Sequence, residues 1–321
     1  MDKQIAARVR QAIEKKAFPG CVVGVVKRDG ARSVSAFGSL TYAADAEPVS
    51  ERTVYDLASV TKSIPLASLA LTLAAEGRLR LDDTATSFVP ELQNDHGATI
   101  EDLLRYRVHG AQLSKLPHRT FEEIRTHALE RGFDGPPGEE VYTNLPAFIL
   151  GMVIERAAGK GLAPLADSYF FEPFSMHDTT FFPSKSNCAP TEIDARGEVR
   201  GLPHDESAYL FAMRRRAVGH AGLFSTASDL LNFLEAILTG KVPAIVEGAR
   251  AGLGWQTSGD VLGSRPEGRF GKTGFTGCSV ACDVERGIGL VILSNRTYPK
   301  RPPDGTAINM LRRDIADGVF G

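Results

Sequence analysis

Short β-branched runs stand at the two ends of this chain, and apolar runs with helical spacing fill its middle. A single sheet can form only if the two ends come together. Ile5, Val9 and Ile13 fall at helical spacing, and Pro19-Gly20 stops that segment. Cys21 to Val26 and Arg32 to Phe37 flank the turn Arg28-Asp29-Gly30, which is the pattern of a hairpin. From Gly252 the period changes again: Gly252 to Trp255, Arg269 to Thr273, Cys278 to Val284 and Ile288 to Leu293 predict strands, and Ala307 to Val319 a closing helix. Between the ends, Ile64 to Ala75, Ile100 to Arg105, Phe121 to Glu130 and Asn144 to Ala157 read as helices. Leu162 to Phe174 reads as helix or turn, and Ser228-Asp229 caps a helix through Leu238. Residues 183–218 are polar and irregular. The expected fold class is α+β. An antiparallel sheet flanked by N- and C-terminal helices takes residues 1–58 and 250–321, and a mostly helical region, residues 59–249, is inserted into it. The site would lie in the cleft between them.

Composition narrows the function classes. With 321 residues, 43% hydrophobic and 24% charged, the chain can bury one large or two moderate cores. A net charge of −2 without a long basic run argues against nucleic acid. Met1-Asp2-Lys3-Gln4-Ile5 is charged and lacks an apolar h-region, so a cytoplasmic location is expected. The run from Ile64 to Ala75 is short for a bilayer and contains Pro65, so a buried, kinked helix is expected and no membrane association. Cys21, Cys188, Cys278 and Cys282 lack metal-ligand spacing and read as buried small hydrophobes.

Ser59 and Lys62 stand three residues apart at the mouth of that apolar run. On the first turn of a helix their side chains are neighbours. A serine hydroxyl becomes a useful nucleophile when a nearby amine can take its proton, and a helix N-terminus offers free N–H groups to an oxyanion. Ser-x-x-Lys alone occurs by chance roughly once in a chain this long. Its company is what counts: Tyr142-Thr143-Asn144 and Lys272-Thr273-Gly274 follow in order, and each of the three patterns occurs once. A phosphate-loop reading of Gly271-Lys272-Thr273 fails, because Pro266 stands where the first glycine is required. No Gly-x-Ser-x-Gly is present for an α/β-hydrolase. His220, between small residues, reads as a packing or turn residue more readily than as a triad base.

Together the three motifs resemble those of the serine β-lactamase and penicillin-binding-protein superfamily. Tyr142, in place of a serine in the second motif, makes the chain more similar to class C β-lactamases, DD-peptidases and related esterases. The flanks Tyr55 to Lys62 and Gly219 to Leu230 are similar to family segments, and His204-Asp205-Glu206 to a penicillin-binding subgroup. The resemblance covers roughly residues 15–300. One stretch departs from it: many relatives carry His-Thr-Ser-Gly-Leu where this chain reads Arg105-Tyr106-Arg107-Val108-His109-Gly110.

The resemblance implies a two-step serine hydrolase acting on amide, β-lactam or ester bonds, with a carboxylesterase, a D-Ala-type peptidase or a non-enzymatic penicillin-binding sensor as alternatives. Ser59 would form an acyl-enzyme, and Lys62 and Tyr142 would share the base role. Asn144 would hold Lys62 and a substrate amide oxygen, and Lys272 would add positive field. Thr273 would donate to a substrate carboxylate. Beside Gly274, the N–H groups of Ser59 and Phe275 would form the oxyanion hole. A small-molecule acyl substrate is the expected partner, with no metal and no organic cofactor.

Overall fold

The computed structural model describes residues 2–116 and 120–321. Met1 of the N-terminal stretch lies outside them. The ends of the chain build one five-stranded antiparallel sheet in the order Arg32–Gly38, Gly20–Lys27, Ile288–Ser294, Ser279–Asp283, Arg269–Thr273. The strand Gly20–Lys27 pairs with both its hairpin partner and Ile288–Ser294, which closes N-terminus on C-terminus.

Strand alternation decides what covers each face. Cys21, Val23, Leu290 and Ile292 pack against Ile5 and Val9 of the helix Lys3–Glu14 and Ile308, Leu311 and Ile315 of the helix Thr306–Phe320. Val22, Val26, Val291 and Leu293 face the main core. There the helix Ala227–Leu238 lies on the sheet: a Cβ at Gly24 would stand 3.0 Å from Leu231, and one at Gly289 would stand 2.9 Å from Leu234. Both positions need the missing side chain for this close approach. The fold is α+β, as expected, with helices on both faces of the sheet.

Several elements differ from the sequence reading. Gly252 to Trp255 is a turn and not a strand. Gly252 and Gly254 take left-handed backbone, φ 77° and 73°, and only Gln256 bridges to Gly271. The helix expected from Ile64 begins at Ser68 and runs to Ala75. Ile64 is extended (φ −116°, ψ 109°) and Pro65 lacks an N–H, so the segment breaks into a 3₁₀ turn, Ala58–Lys62, and a wider turn, Ser63–Ala67. Thr226, not Ser228, caps the following helix, accepting from Asp229 N–H at 3.3 Å. Leu162 to Phe174 starts as the short helix Leu162–Ala166 and continues as a wide turn, Asp167–Phe171. The irregular stretch 183–218 contains a small hairpin, Glu192–Asp194 with Gly197–Val199, and the helix Glu206–Ala212. The helix Pro243–Arg250 had no expectation. All four cysteines are free and buried.

Candidate active site

The turn carrying Ser59 is pinned from three sides. Leu57 N–H donates to Leu223 O at 2.9 Å, the Asp56 carboxylate accepts Ala58 N–H at 2.8 Å, and Thr61 Oγ1 donates to Ala58 O at 2.6 Å. Ala58 holds a left-handed φ of 46°, rare for a residue with a Cβ, immediately before Ser59. Burial raises the Asp56 carboxyl to about 6 in spite of its two backbone donors, Ala58 and His204.

Lys62 is buried, 1% exposed, and its ammonium has two acceptors: Ser59 Oγ at 2.9 Å and His220 O at 2.7 Å. The 3₁₀ turn thus does what a helical first turn was expected to do: it sets residues three apart side by side. Tyr142 comes from the loop before the helix Leu145–Ala158. Its ring is exposed at the cleft mouth, and its hydroxyl meets Ser59 and Lys62. Burial of that hydroxyl would raise its pKa, but the charges of Lys62 and Lys272 outweigh burial and hold it below the usual tyrosine value.

Lys272 is the penultimate residue of the edge strand Arg269–Thr273, with its ammonium 5.1 Å from the Tyr142 ring centre. Desolvation lowers it to about 8. Gly274 follows, packed on the turn: a Cβ there would stand 2.3 Å from Leu57 O. Thr276 Oγ1 donates to Asp56 O at 2.7 Å, tying this strand end to the segment before Ser59. The N–H groups of Ser59 and Phe275 donate to no protein acceptor among the described residues. Ser59, Tyr142, Lys272, Thr273, Gly274 and Phe275 line one cleft of about 600 Å³, whose wall also includes Arg105 and the buried Arg296 and Arg312.

One sequence expectation needs correction. Asn144 does not hold Lys62; its Nδ2 donates to Asp205 Oδ2 at 2.9 Å and Ser114 Oγ at 3.3 Å. Lys62 finds the carbonyl of His220 instead. Thr273 has its hydroxyl and N–H on Gln256 Oε1, at 3.1 and 2.9 Å.

Two groups were given no role in the sequence reading. The first is Tyr106, whose hydroxyl accepts from Lys272 Nζ at 3.2 Å and whose ring lies 5.0 Å from that of Tyr142. Burial pushes its phenol up, so it stays neutral. Its signal was the stretch that departs from the family pattern. The second is Asp205, which accepts from Ser114 Oγ (2.6 Å), Asn144 Nδ2 (2.9 Å), Ser207 Oγ (2.6 Å) and Ala208 N–H (2.9 Å). Burial opposes its charge, but His220 and these donors hold the carboxyl well below its usual range. His220 is fully buried, with its Nε2 2.9 Å from Ser207 Oγ and 3.3 Å from Asp205 Oδ1.

Ser59, Lys62 and Tyr142 thus meet beside the strand-end N–H groups. Residues 5–314 match the model of the Beta-lactamase family. The chain belongs to the β-lactamase family. In Escherichia coli (strain K12) the protein named "Putative D-alanyl-D-alanine carboxypeptidase" is 26% identical over 307 residues, covering 77% of this chain and 70% of its own. The fold is that of a class C β-lactamase from Rhodobacter sphaeroides (TM-score 0.74, 20% identity, 98% of this chain and 99% of that one). It is also that of the octameric penicillin-binding protein homologue from Pyrococcus abyssi (TM-score 0.77, 21% identity, 97% and 77%). The family and these relatives make the protein a hydrolase of the serine β-lactamase and peptidase superfamily.

Proposed function

We propose that the protein cleaves acyl compounds through a Ser59 acyl-enzyme. The observation that carries this is the contact of Lys62 Nζ with Ser59 Oγ at 2.9 Å, with the Tyr142 hydroxyl against both. Ser59 Oγ attacks the acyl carbonyl and its proton passes into the Tyr142–Lys62 pair, two groups that share the base role. The carbonyl oxygen becomes an oxyanion between the N–H groups of Ser59 and Phe275, where each donor of this kind is worth roughly 3–4 kcal/mol. The pair returns the proton to the leaving group as the carbon–leaving-group bond breaks. A water molecule, deprotonated by the same pair, then releases the acid and restores Ser59.

The substrate class follows from the cations. Lys272, Arg296 and Arg312 line the cleft that holds Ser59. They favour an amide or β-lactam whose leaving part carries a carboxylate, over a neutral ester. The printed name of the Escherichia coli relative is consistent with such a substrate. The test compares an N-acyl-D-Ala-D-Ala peptide with its C-terminal amide. A preference of at least tenfold in kcat/KM for the free carboxylate, lost in Lys272→Ala, is expected. Equal rates for the two peptides would remove the carboxylate from the proposal.

A further inference from the structure

A second cavity, of about 460 Å³, opens away from the cleft and shares no lining residue with it. The helices Phe121–Arg131 and Leu145–Ala158 and the turn after Glu206–Ala212 enclose it. Its interior is apolar, formed by Phe148, Met152, Leu162, Phe211 and Val218. Its rim carries four arginines, Arg125, Arg214, Arg215 and Arg216, against one acid, Glu155. Glu155 accepts the Leu162 N–H on Oε1 at 2.8 Å; burial pushes its carboxyl up, against the opposing pull of that N–H and of the Arg216 charge.

The three consecutive arginines are unusual in their surroundings. Arg215 has a left-handed φ of 53°, which turns the chain so that all three side chains reach one opening. Arg215 lies over the Phe182 ring at 4.8 Å and Arg216 over Phe121 at 4.9 Å, so both guanidinium groups rest on aromatic walls. No carboxylate stands within ion-pair distance of Arg214, Arg215 or Arg216 among the described residues. A solvated arginine cluster would need no cavity, and an apolar cavity would need no arginines. Arg125 is paired with Glu91 at 3.1 Å, but an apolar chamber of ligand size behind the three guanidinium groups of Arg214, Arg215 and Arg216, none of them in an ion pair, matches one chemistry: an apolar chain ending in an anion.

We propose that this cavity binds a single-chain acyl anion, with the alkyl chain among Phe148, Met152 and Phe211 and the carboxylate on Arg214 and Arg216. The test is titration calorimetry of the full chain with sodium octanoate, 1-octanol and inorganic phosphate. Octanoate is expected to bind one to one, and octanol and phosphate at least tenfold more weakly. The double variant Arg214→Glu/Arg216→Glu should weaken octanoate at least tenfold. Met152→Trp, which fills the chamber, should do the same, and thermal melts of both variants check that they fold. Lys272→Ala, in the cleft, should bind octanoate like the parent. Failure of octanoate to bind, or binding that survives both cavity variants, would overturn the proposal. So would loss of binding in Lys272→Ala, which would put octanoate in the cleft. None of these outcomes bears on Ser59 chemistry.

Discussion

Ala58 and Tyr106 both carry left-handed backbone, φ 46° and 55°, and both flank groups of the site. Such conformations cost a residue with a Cβ about 1–2 kcal/mol and persist where their surroundings impose them. At Ala58 the imposition is visible: Asp56 takes its N–H and Thr61 its carbonyl. Ala58→Gly should therefore stabilise the protein by about 1 kcal/mol in denaturant melts. A neutral or negative result would show that the turn carries no strain. At Tyr106 the hydroxyl favours the charged form of Lys272 by accepting from it at 3.2 Å. Tyr106→Phe keeps the ring and deletes that acceptor. The alkaline limb of kcat/KM, set by Lys272 at about 8, should then move to lower pH with little change in melting temperature. An unmoved limb would make Tyr106 a packing residue only.

At the scale of elements, the site depends on segments held by distant partners. Asp205 caps the helix Glu206–Ala212, accepting Ala208 N–H, and in the same place holds Asn144 at the start of the helix Leu145–Ala158. Its folded-state pKa is depressed, so its stabilisation is present above the ordinary carboxylate range near 4 and is lost as pH falls below it. Asp205→Asn should cost about 3 kcal/mol at pH 7 and progressively less below pH 4, read from melts across pH. A pH-independent loss would contradict the charged role. What could be read from the chain divides along the same line. The hairpin, the last three C-terminal strands and the three-residue spacing of Ser59 and Lys62 are local patterns, and each came out as expected. Tyr106 reaches the cleft because Val141 N–H bonds Tyr106 O and Gly138 N–H bonds Arg107 O, pairings between residues more than thirty apart that no local period encodes. Asn144 went astray for the same reason: its partner Asp205 stands 61 residues further along the chain. Gly252 to Trp255 misled because Leu253 and Trp255 alternate like a strand while the glycines between them turn the chain.

For the whole molecule, the closed ends and the inserted helices set one cleft whose charge depends on pH. Lys272 is charged below about 8 and loses its proton above it. Hydrolysis of carboxylate-bearing amides should fall above that pH, while hydrolysis of a neutral ester should lack this limb; parallel profiles for the two substrates would argue that Lys272 serves the chemistry and not the carboxylate. The central claim, a Ser59 acyl-enzyme, is tested most directly by a time course of intact mass after mixing with a penicillin, with Ser59→Ala alongside. The account predicts a mass increase of one penicillin that appears and then decays, and no increase in Ser59→Ala. An adduct that never decays would make the protein a penicillin-binding sensor instead of a turning-over hydrolase. An equal adduct on Ser59→Ala would contradict the assignment of the nucleophile.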